Sequence, residues 1–174
     1  MLTNLPTVLR QAGLLSLTQE QAVAEHVEAS GISTPEALLV LDLFSGDSLA
    51  NNIKTIFGLP LVRLASTDYE SLCEQLGLRE LITKYRAIPI SVSSSSLTLA
   101  SADPTDLQAE DDVRFATGLQ IELVVANYSE LEGAILRVIA TPAGASIKGE
   151  AVLYVKSSNN KVEPIGVVSQ TSTV

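Results

Sequence analysis

The stretch RAIPISVSSSSLTLASADP, residues 86–104, alternates apolar and polar side chains on both sides of a run of serines. Its apolar positions recur at every second residue, which is the period of a β-strand with one buried face. They are Ile88, Ile90 and Val92 before the run, and Leu97 and Leu99 after it. Since four serines supply a polar turn, the stretch predicts a β-hairpin. Pro89 has no N–H to donate, so its strand is expected at a sheet edge or with this nitrogen facing outward.

Two apolar segments precede the hairpin. Leu61, Val62 and Leu64 predict a short strand. The segment 69–76 then carries apolar side chains at spacings of three and four, which is the helical period; they are Tyr69, Leu72, Cys73 and Leu76. A strand and a helix are therefore expected before the hairpin.

Three further elements are predicted after the hairpin. Asp103-Pro104 is interpreted as the cap of a helix with an acidic N-terminal half, and Gly118 as its end. Residues 119–125 alternate as another strand. Ser129 and Glu132 form a capping box that predicts a last helix.

The first sixty residues predict four short helices separated by glycines. The predicted starts are Leu5, the capping box of Thr18 with Gln21, Thr34 followed by Pro35, and Asp47 or Ser48; the predicted ends are Gly13, Gly31 and Gly58. None of these helices is long enough to be stable alone, so they are expected to pack on one another.

The charge along the chain predicts three sections. Residues 1–63 carry a net charge of −3, residues 64–140 carry −7, and residues 141–174 carry +1. The expected fold class is α+β: a helical N-terminal subdomain, then an α/β sandwich with a three- to four-stranded sheet. The last section is interpreted as a linker or appended strands, with a hairpin of Ala151–Val155 and Val162–Val168.

Composition excludes several classes of function. The 174 residues hold 11 basic and 20 acidic side chains, a formal charge of −9, so nucleic acid is not expected as a partner. One cysteine rules out an intrachain disulfide or a cysteine metal cluster, and one histidine argues against a Ser-His hydrolase or a His-rich metal site. The N-terminus lacks the features of a secretory signal, and no apolar run approaches the ~20 residues that cross a bilayer. A cytoplasmic chain without membrane insertion is expected.

No catalytic residue or metal ligand stands out. His26 is interpreted as a partly exposed helical histidine and Cys73 as a buried structural thiol. The acidic run Glu110 to Asp112 is more simply a helix N-terminal turn than a metal site. A phosphate-binding loop would need Lys after Gly149, where Glu150 stands, so ATPase activity is not expected of this chain.

The segment Tyr85 to Ile135 resembles the N-terminal domain of the type IV pilus assembly (extension) ATPases and type II secretion ATPases. The resemblance rests on three pieces in the family's order: the hairpin leading into A-x-x-D-P, the pattern D-[apolar]-x-F-x-T-G, and the strand followed by S-x-L-x-x-A-I. The second piece is Asp112, Val113, Phe115, Thr117 and Gly118. The FGLPLV of residues 57–62 also matches a Gly-Leu-Pro step of the family.

This resemblance implies a non-catalytic docking and regulatory domain. In such ATPases the region precedes the motor domain that holds the ATP site, so the chain is expected to be an N-terminal fragment. The implied partners are the platform and alignment proteins of the inner membrane and the parent's motor domain, which would place the chain in the cytoplasm, peripheral to that membrane. Charge reversal at Asp106, Glu110 and Asp111 would separate docking from a purely structural role.

Relatives also bind cyclic di-GMP through paired motifs of the form R-L-G-x-x-L-V-x-x-G-L-I, with a Gln one helix later. Leu9, Gly13, Leu14 and Leu15 match the second half of the first motif, but its arginine and first glycine positions hold Asn4 and Pro6. The second copy also lacks the arginine, and its glycine and Gln positions fall on Asp42 and Ile56.

Three functions therefore stay open: a docking and regulatory domain, a cyclic di-GMP sensor, and a structural spacer of the hexameric motor. For the sensor, the candidate cofactor-binding residues are Leu9, Arg10, Gly13 and Leu14, with Arg10 replacing the missing arginines. ATP belongs to the motor domain, and no other cofactor is expected.

Overall fold

A computed structural model describes residues 3–64, 69–140, 154–156 and 162–164. The N-terminal region forms four helices: α1 (Leu5–Gln11), α2 (Leu17–Ser30), α3 (Thr34–Val40) and α4 (Gly46–Phe57). Each begins after a polar residue whose side chain accepts a hydrogen bond from the backbone N–H three residues later; these caps are Asn4, Ser16, Ser33 and Ser45.

Two of the predicted helix caps are wrong by two to three residues, and a third helix has its cap one residue before its predicted start. The capping box is Ser16 with Gln19, not Thr18 with Gln21. Helix α3 begins at the predicted Thr34, with Ser33 as its cap, and Ser45 caps α4 in place of Asp47 or Ser48. In each case an earlier serine is available, and starting there adds backbone hydrogen bonds to a helix that is already nucleated.

The four helices form two similar pairs. Asn4 and Ser33, and likewise Ser16 and Ser45, are 29 residues apart and occupy equivalent cap positions. The turns also correspond: the N–H of Leu14 donates to the carbonyl of Leu9 at 2.9 Å, and the N–H of Leu43 to that of Leu38 at 3.1 Å. The residue that precedes the donor in each turn has a left-handed backbone: φ is 78° at Gly13, before Leu14, and 55° at Asp42, before Leu43. Thus α1–α2 and α3–α4 are two copies of one helix-turn-helix unit.

The following residues form a four-stranded sheet with flanking helices. In chain order the elements are β1 (Leu61–Val62), α5 (Glu70–Leu76), α6 (Arg79–Tyr85), β2 (Ala87–Val92), β3 (Ser96–Ser101), α7 (Leu107–Thr117), β4 (Gln120–Ala126) and α8 (Tyr128–Ala140). The strand order is β1-β4-β3-β2, with β2 antiparallel to β3 and β4 parallel to both its neighbours. The α+β class, the hairpin and the edge position of the Pro89 strand are confirmed.

Helix α6 and the starts of two other helices differ from the predictions. Helix α6, which has seven residues and one buried side chain, Ile82, was not predicted from the sequence. Asp106, not Asp103, caps α7, because the Asp103 carboxylate accepts the N–H of Thr105 at 3.0 Å in the preceding turn. Helix α8 starts at Tyr128, so Ser129 lies inside it, and the Ser129 N–H donates to the side chain of Asn127 at 2.9 Å.

Strand β4 separates two hydrophobic cores. The sheet core lies between the strands and α5, α6, α7 and α8, and includes Ile88, Leu97, Leu99, Leu131 and Ile135. The helical core includes Leu5, Leu9, Val23, Leu38 and Ile53, together with Val125 of β4. Both cores depend on β4 because side chains alternate between its two faces.

A polar seam joins the helical pairs to the start of α8. Asn127 Nδ2 donates to Asp47 Oδ1 at 2.8 Å, and Arg63 Nη1 donates to Glu130 Oε1 at 2.6 Å. Gly46 lies against this seam, since a Cβ added there would be 2.8 Å from Asn127 Oδ1. A side chain at the start of α4 would therefore displace the hydrogen-bonded Asn127 side chain.

The chain divides into two compact units, residues 1–141 and 142–174. In the second, β5 (Tyr154–Lys156) pairs antiparallel with β6 (Val162–Pro164), and Val155 lies opposite Glu163. The other residues of the predicted 151–155 and 162–168 hairpin lie outside the described ranges. The three-way division at residues 63 and 140 stays a prediction. None of the helices within the described ranges has the length and apolar character needed to cross a membrane.

The glycine at the seam gives a direct test of this packing. Gly46→Ala should lower the free energy of unfolding by about 1–2 kcal/mol, because the methyl group displaces the hydrogen-bonded Asn127 side chain. Gly133→Ala is the matched control: nothing lies within 4 Å of its added Cβ in α8, so helix propensity should raise stability by up to about 1 kcal/mol. Urea unfolding of both variants measures their free energies of unfolding. Equal changes in the two variants would contradict the close packing of Gly46 against Asn127.

Candidate functional site

A groove between α1 and α2 has a volume of about 560 Å³. Its apolar lining includes Pro6, Leu17 and Val27, and its charged lining consists of Arg10, Glu20 and Glu28. We call it the α1–α2 groove. Its volume lies within the roughly 300–1,000 Å³ that is common for small-molecule sites.

The charged groups of the α1–α2 groove are largely satisfied by one another. Arg10 Nε donates to Glu20 Oε2, and Thr7 Oγ1 donates to Glu20 Oε1 at 2.5 Å. The bond from Thr7 and the pairing with Arg10 lower the pKa of Glu20 despite its partial desolvation, so this carboxylate is charged at neutral pH. One guanidinium and two carboxylates give the lining a net charge of −1, which opposes the binding of a phosphate.

Of the four residues predicted to bind cyclic di-GMP, only one lies in the α1–α2 groove. Arg10 lines the α1–α2 groove. Leu9 is fully buried in the helical core, and Leu14 is 39% exposed in the turn that contains Gly13. A contact between a ligand and Leu9 would require the core to open. The assignment of these four residues to a ligand stays a prediction.

In the first copy of the cyclic di-GMP motif, the arginine position and the first glycine position do not hold their expected residues. Both positions line the α1–α2 groove. Asn4, at the arginine position, uses its side-chain oxygen to accept the N–H of Thr7 at 3.0 Å. Pro6, at the glycine position, is buried in the first turn of α1. In the second copy the glycine position, Asp42, keeps the left-handed backbone that a glycine would favour. The second glycine position of both copies therefore has a left-handed backbone, whereas the expected arginine is missing from both.

A smaller cavity of about 270 Å³ lies between α2–α3 and the end of β3. Arg86, one of its lining residues, pairs with Glu132 at 2.8 Å, and Tyr128 Oη donates to Glu36 Oε2 at 3.0 Å. Burial raises the pKa of Asp103 and of the Tyr128 hydroxyl. These groups already have partners, so the cavity presents no free reactive group among them. The hydrogen bond from Tyr128 to Glu36 instead connects the helical pairs to the sheet half of the unit.

The two residues considered for nucleophilic chemistry are placed as predicted. Cys73 is buried, its thiol faces the carbonyl of Pro89 at 3.8 Å, and burial raises its pKa to about 12. It is therefore a neutral, shielded thiol at physiological pH. His26 lies partly exposed on α2. The described ranges contain no group of three His, Cys, Asp or Glu side chains placed to hold a metal ion.

The acidic helix α7 has an exposed aromatic side chain that was not predicted from the sequence. Asp106 is occupied as its cap, and Glu110 and Asp111 both pair with Arg114. Phe115, which belongs to the D-[apolar]-x-F-x-T-G pattern, is 93% exposed. Its sequence position carried a signal, because it lies two residues from the buried Val113 and so points away from the core side of the helix.

Comparison with known proteins gives one family for the chain. The MshEN domain family matches residues 57–145. The type IV pilus assembly ATPase PilB of Myxococcus xanthus (strain DK1622) is 26% identical over 171 residues, which cover 97% of this chain and 30% of that protein. PilB of Pseudomonas aeruginosa is 33% identical over 134 residues, covering 77% and 24%. The chain thus spans less than a third of the length of either relative.

Type II secretion proteins and solved structures are also similar. Type II secretion system protein E of Xanthomonas campestris pv. campestris is 36% identical over 112 residues, 62% of this chain and 20% of that protein. A structure of the N-terminal domain of XpsE is 31% identical with a TM-score of 0.53, covering 74% of this chain and 90% of that one. A structure of MshE with cdg, an abbreviation for cyclic di-GMP, has a TM-score of 0.56 at 22% identity, covers 76% and 96%, and so shares the fold. The chain belongs to the MshEN domain family and is homologous to the N-terminal regions of type IV pilus assembly and type II secretion ATPases.

Proposed function

We propose that the chain is a non-catalytic docking and regulatory domain of a pilus assembly ATPase. It would act in the cytoplasm, peripheral to the inner membrane, through contacts with the platform and alignment proteins and with the parent's motor domain. The observation that carries this choice over nucleotide sensing is the pairing of Arg10 with Glu20 in the α1–α2 groove. A cyclic dinucleotide carries two negatively charged phosphates. The lining of this groove has a net negative charge, which repels them.

The charge of the whole first unit supports the same choice. Residues 1–63 carry −3 and residues 64–140 carry −7. Such a field repels free anions and speeds the approach of a basic protein surface. A docking role uses that field, whereas a dinucleotide sensor would have to overcome it.

Cyclic di-GMP sensing is the second candidate, and the size of the α1–α2 groove favours it. The left-handed backbone at Gly13 and Asp42, where the paired motifs carry glycine, is a further point in its support. The sensor hypothesis requires Arg10 to exchange Glu20 for a ligand phosphate.

Calorimetry with cyclic di-GMP, with ATP as the control ligand, separates the two candidates. The docking hypothesis predicts that neither the natural chain nor Glu20→Gln binds cyclic di-GMP at millimolar concentration. The reason is that the single Arg10 guanidinium would hold the two phosphates only weakly. Sensing predicts binding that Glu20→Gln strengthens, since this variant removes the competing carboxylate and keeps an acceptor for Thr7.

Two further variants identify the residue responsible for any binding. Arg10→Ala removes the cation of the α1–α2 groove, and Lys54→Ala removes an exposed cation on α4 outside it. Micromolar affinity that Arg10→Ala abolishes and Lys54→Ala preserves would replace the docking proposal with the sensor.

Charge reversal on α7 separates docking from a structural spacer. Asp111→Lys should weaken binding to the platform or alignment proteins severalfold, mainly through slower association at low salt. Asp111 is preferable to Asp106, which caps the helix. Glu25→Lys, an exposed reversal on α2, is the matched control and should have little effect. Surface plasmon resonance gives both rate constants, and a chain that binds none of these proteins would contradict docking.

A further inference from the structure

Helix α7 exposes two large apolar side chains on one side. Phe115 is 93% exposed, the highest value among the large apolar residues of the described ranges, and Leu107 is 51% exposed. An aromatic ring left this open makes no contribution to the core, and burying it against another protein would release its hydration shell.

Four exposed residues of α7 form one continuous face. With 100° per residue, Leu107, Asp111, Arg114 and Phe115 fall within about 100° of one another around the helix axis. Leu107 and Phe115 are about 12 Å apart along that axis, at 1.5 Å per residue. The opposite side of the helix carries the buried Ala109 and Val113. We call Leu107, Asp111, Arg114 and Phe115 the α7 face.

The charge around the α7 face is negative, and two of the carboxylates there are held in place by ion pairs. Residues 106–117 carry four carboxylates and one guanidinium. That guanidinium, on Arg114, is already committed: it donates to Asp111 Oδ1 at 2.9 Å and also to Glu110. A second anionic surface would therefore be repelled, and a basic surface would meet carboxylates already held in place.

Resting on the proposed docking function, we propose that the α7 face is the contact surface for a partner protein. That partner presents an apolar pocket bordered by Lys or Arg side chains. Phe115 fills the pocket, Leu107 extends the apolar contact by two helical turns, and Asp111 meets the basic rim. Aromatic anchors of this kind dominate the binding energy of small interfaces.

Two other occupants fit the charge less well. A second copy of this chain brings the same formal charge of −9, so face-to-face association is opposed by like charges. A bilayer surface rich in anionic lipid repels the carboxylates beside Phe115, and membrane-binding helices carry Lys and Arg on their polar face instead. A basic protein surface satisfies both the apolar and the acidic parts of the α7 face.

The test compares Phe115→Ser with Leu136→Ser in the full chain. Leu136 is the matched control, a large apolar residue on α8 that is 64% exposed. Each variant is titrated by calorimetry against the purified cytoplasmic portions of the platform and alignment proteins, one at a time. Phe115→Ser should weaken the interaction at least about tenfold and Leu136→Ser less than about twofold. Leu107→Ser provides a second variant on the α7 face and should weaken binding to a smaller extent.

The outcomes separate this inference from the docking function. If the natural chain binds a partner and Phe115→Ser, with an unchanged melting temperature, binds it equally well, docking stands and the assignment to the α7 face is overturned. If the natural chain binds none of these proteins, the docking function fails and the inference fails with it. Binding that weakens with rising salt supports the basic rim.

Membrane binding and self-association are tested directly. The chain should not sediment with vesicles of phosphatidylcholine and phosphatidylglycerol, and its mass in solution should be that of a monomer. Vesicle binding, or a dimer, that Phe115→Ser abolishes would overturn the proposed partner in favour of lipid or of a second copy.

Discussion

The burial of β4 on both of its faces is the constraint on which the first unit depends. Val125 is fully buried in the helical core, whereas its neighbours Val124 and Ala126 belong to the sheet core. Strand β4 is also the only strand of this sheet that pairs in parallel on both sides, with β1 and with β3. If the helices were removed, one face of β4 would be exposed to water, so the helical pairs and the sheet stabilise each other.

The helix caps of the repeated helix-turn-helix unit account for the absence of the expected motif arginine at Asn4. Asn4 and Ser33 occupy equivalent positions in the two copies, and each caps its helix by accepting a backbone N–H. An arginine at Asn4 could reach for a phosphate but could not accept that hydrogen bond. The helix cap at Asn4 and the pairing of Arg10 with Glu20 both favour structural stability over anion binding at the α1–α2 groove.

Features set by neighbours in sequence were predictable, and features set by tertiary contacts were not. The hairpin around the serine run, the edge position of Pro89 and the glycine stop at Gly118 follow from local periodicity and backbone chemistry. Several adjacent residues could have capped α2, α4 and α7, and sequence alone does not rank them. The pairing of Arg10 with Glu20 spans two helices, and the groove it lines exists only after α1 and α2 pack. Phe115 was in a recognised pattern, but its exposure depends on which side of α7 meets the sheet.

The proposed docking function next to a motor would require the chain to transmit force, so the helical pairs and the sheet should behave as one cooperative body. Native-state hydrogen exchange of the chain and of Val125→Ala tests this most directly. In the natural chain, the slowest amides of α2, α4, β3 and β4 should share one opening free energy, and Val125→Ala should lower all of them by the same amount. If the amides of α2 and α4 exchange at a lower free energy than those of β3, and the variant affects only one group, the helical pairs and the sheet are separate bodies and the account is contradicted.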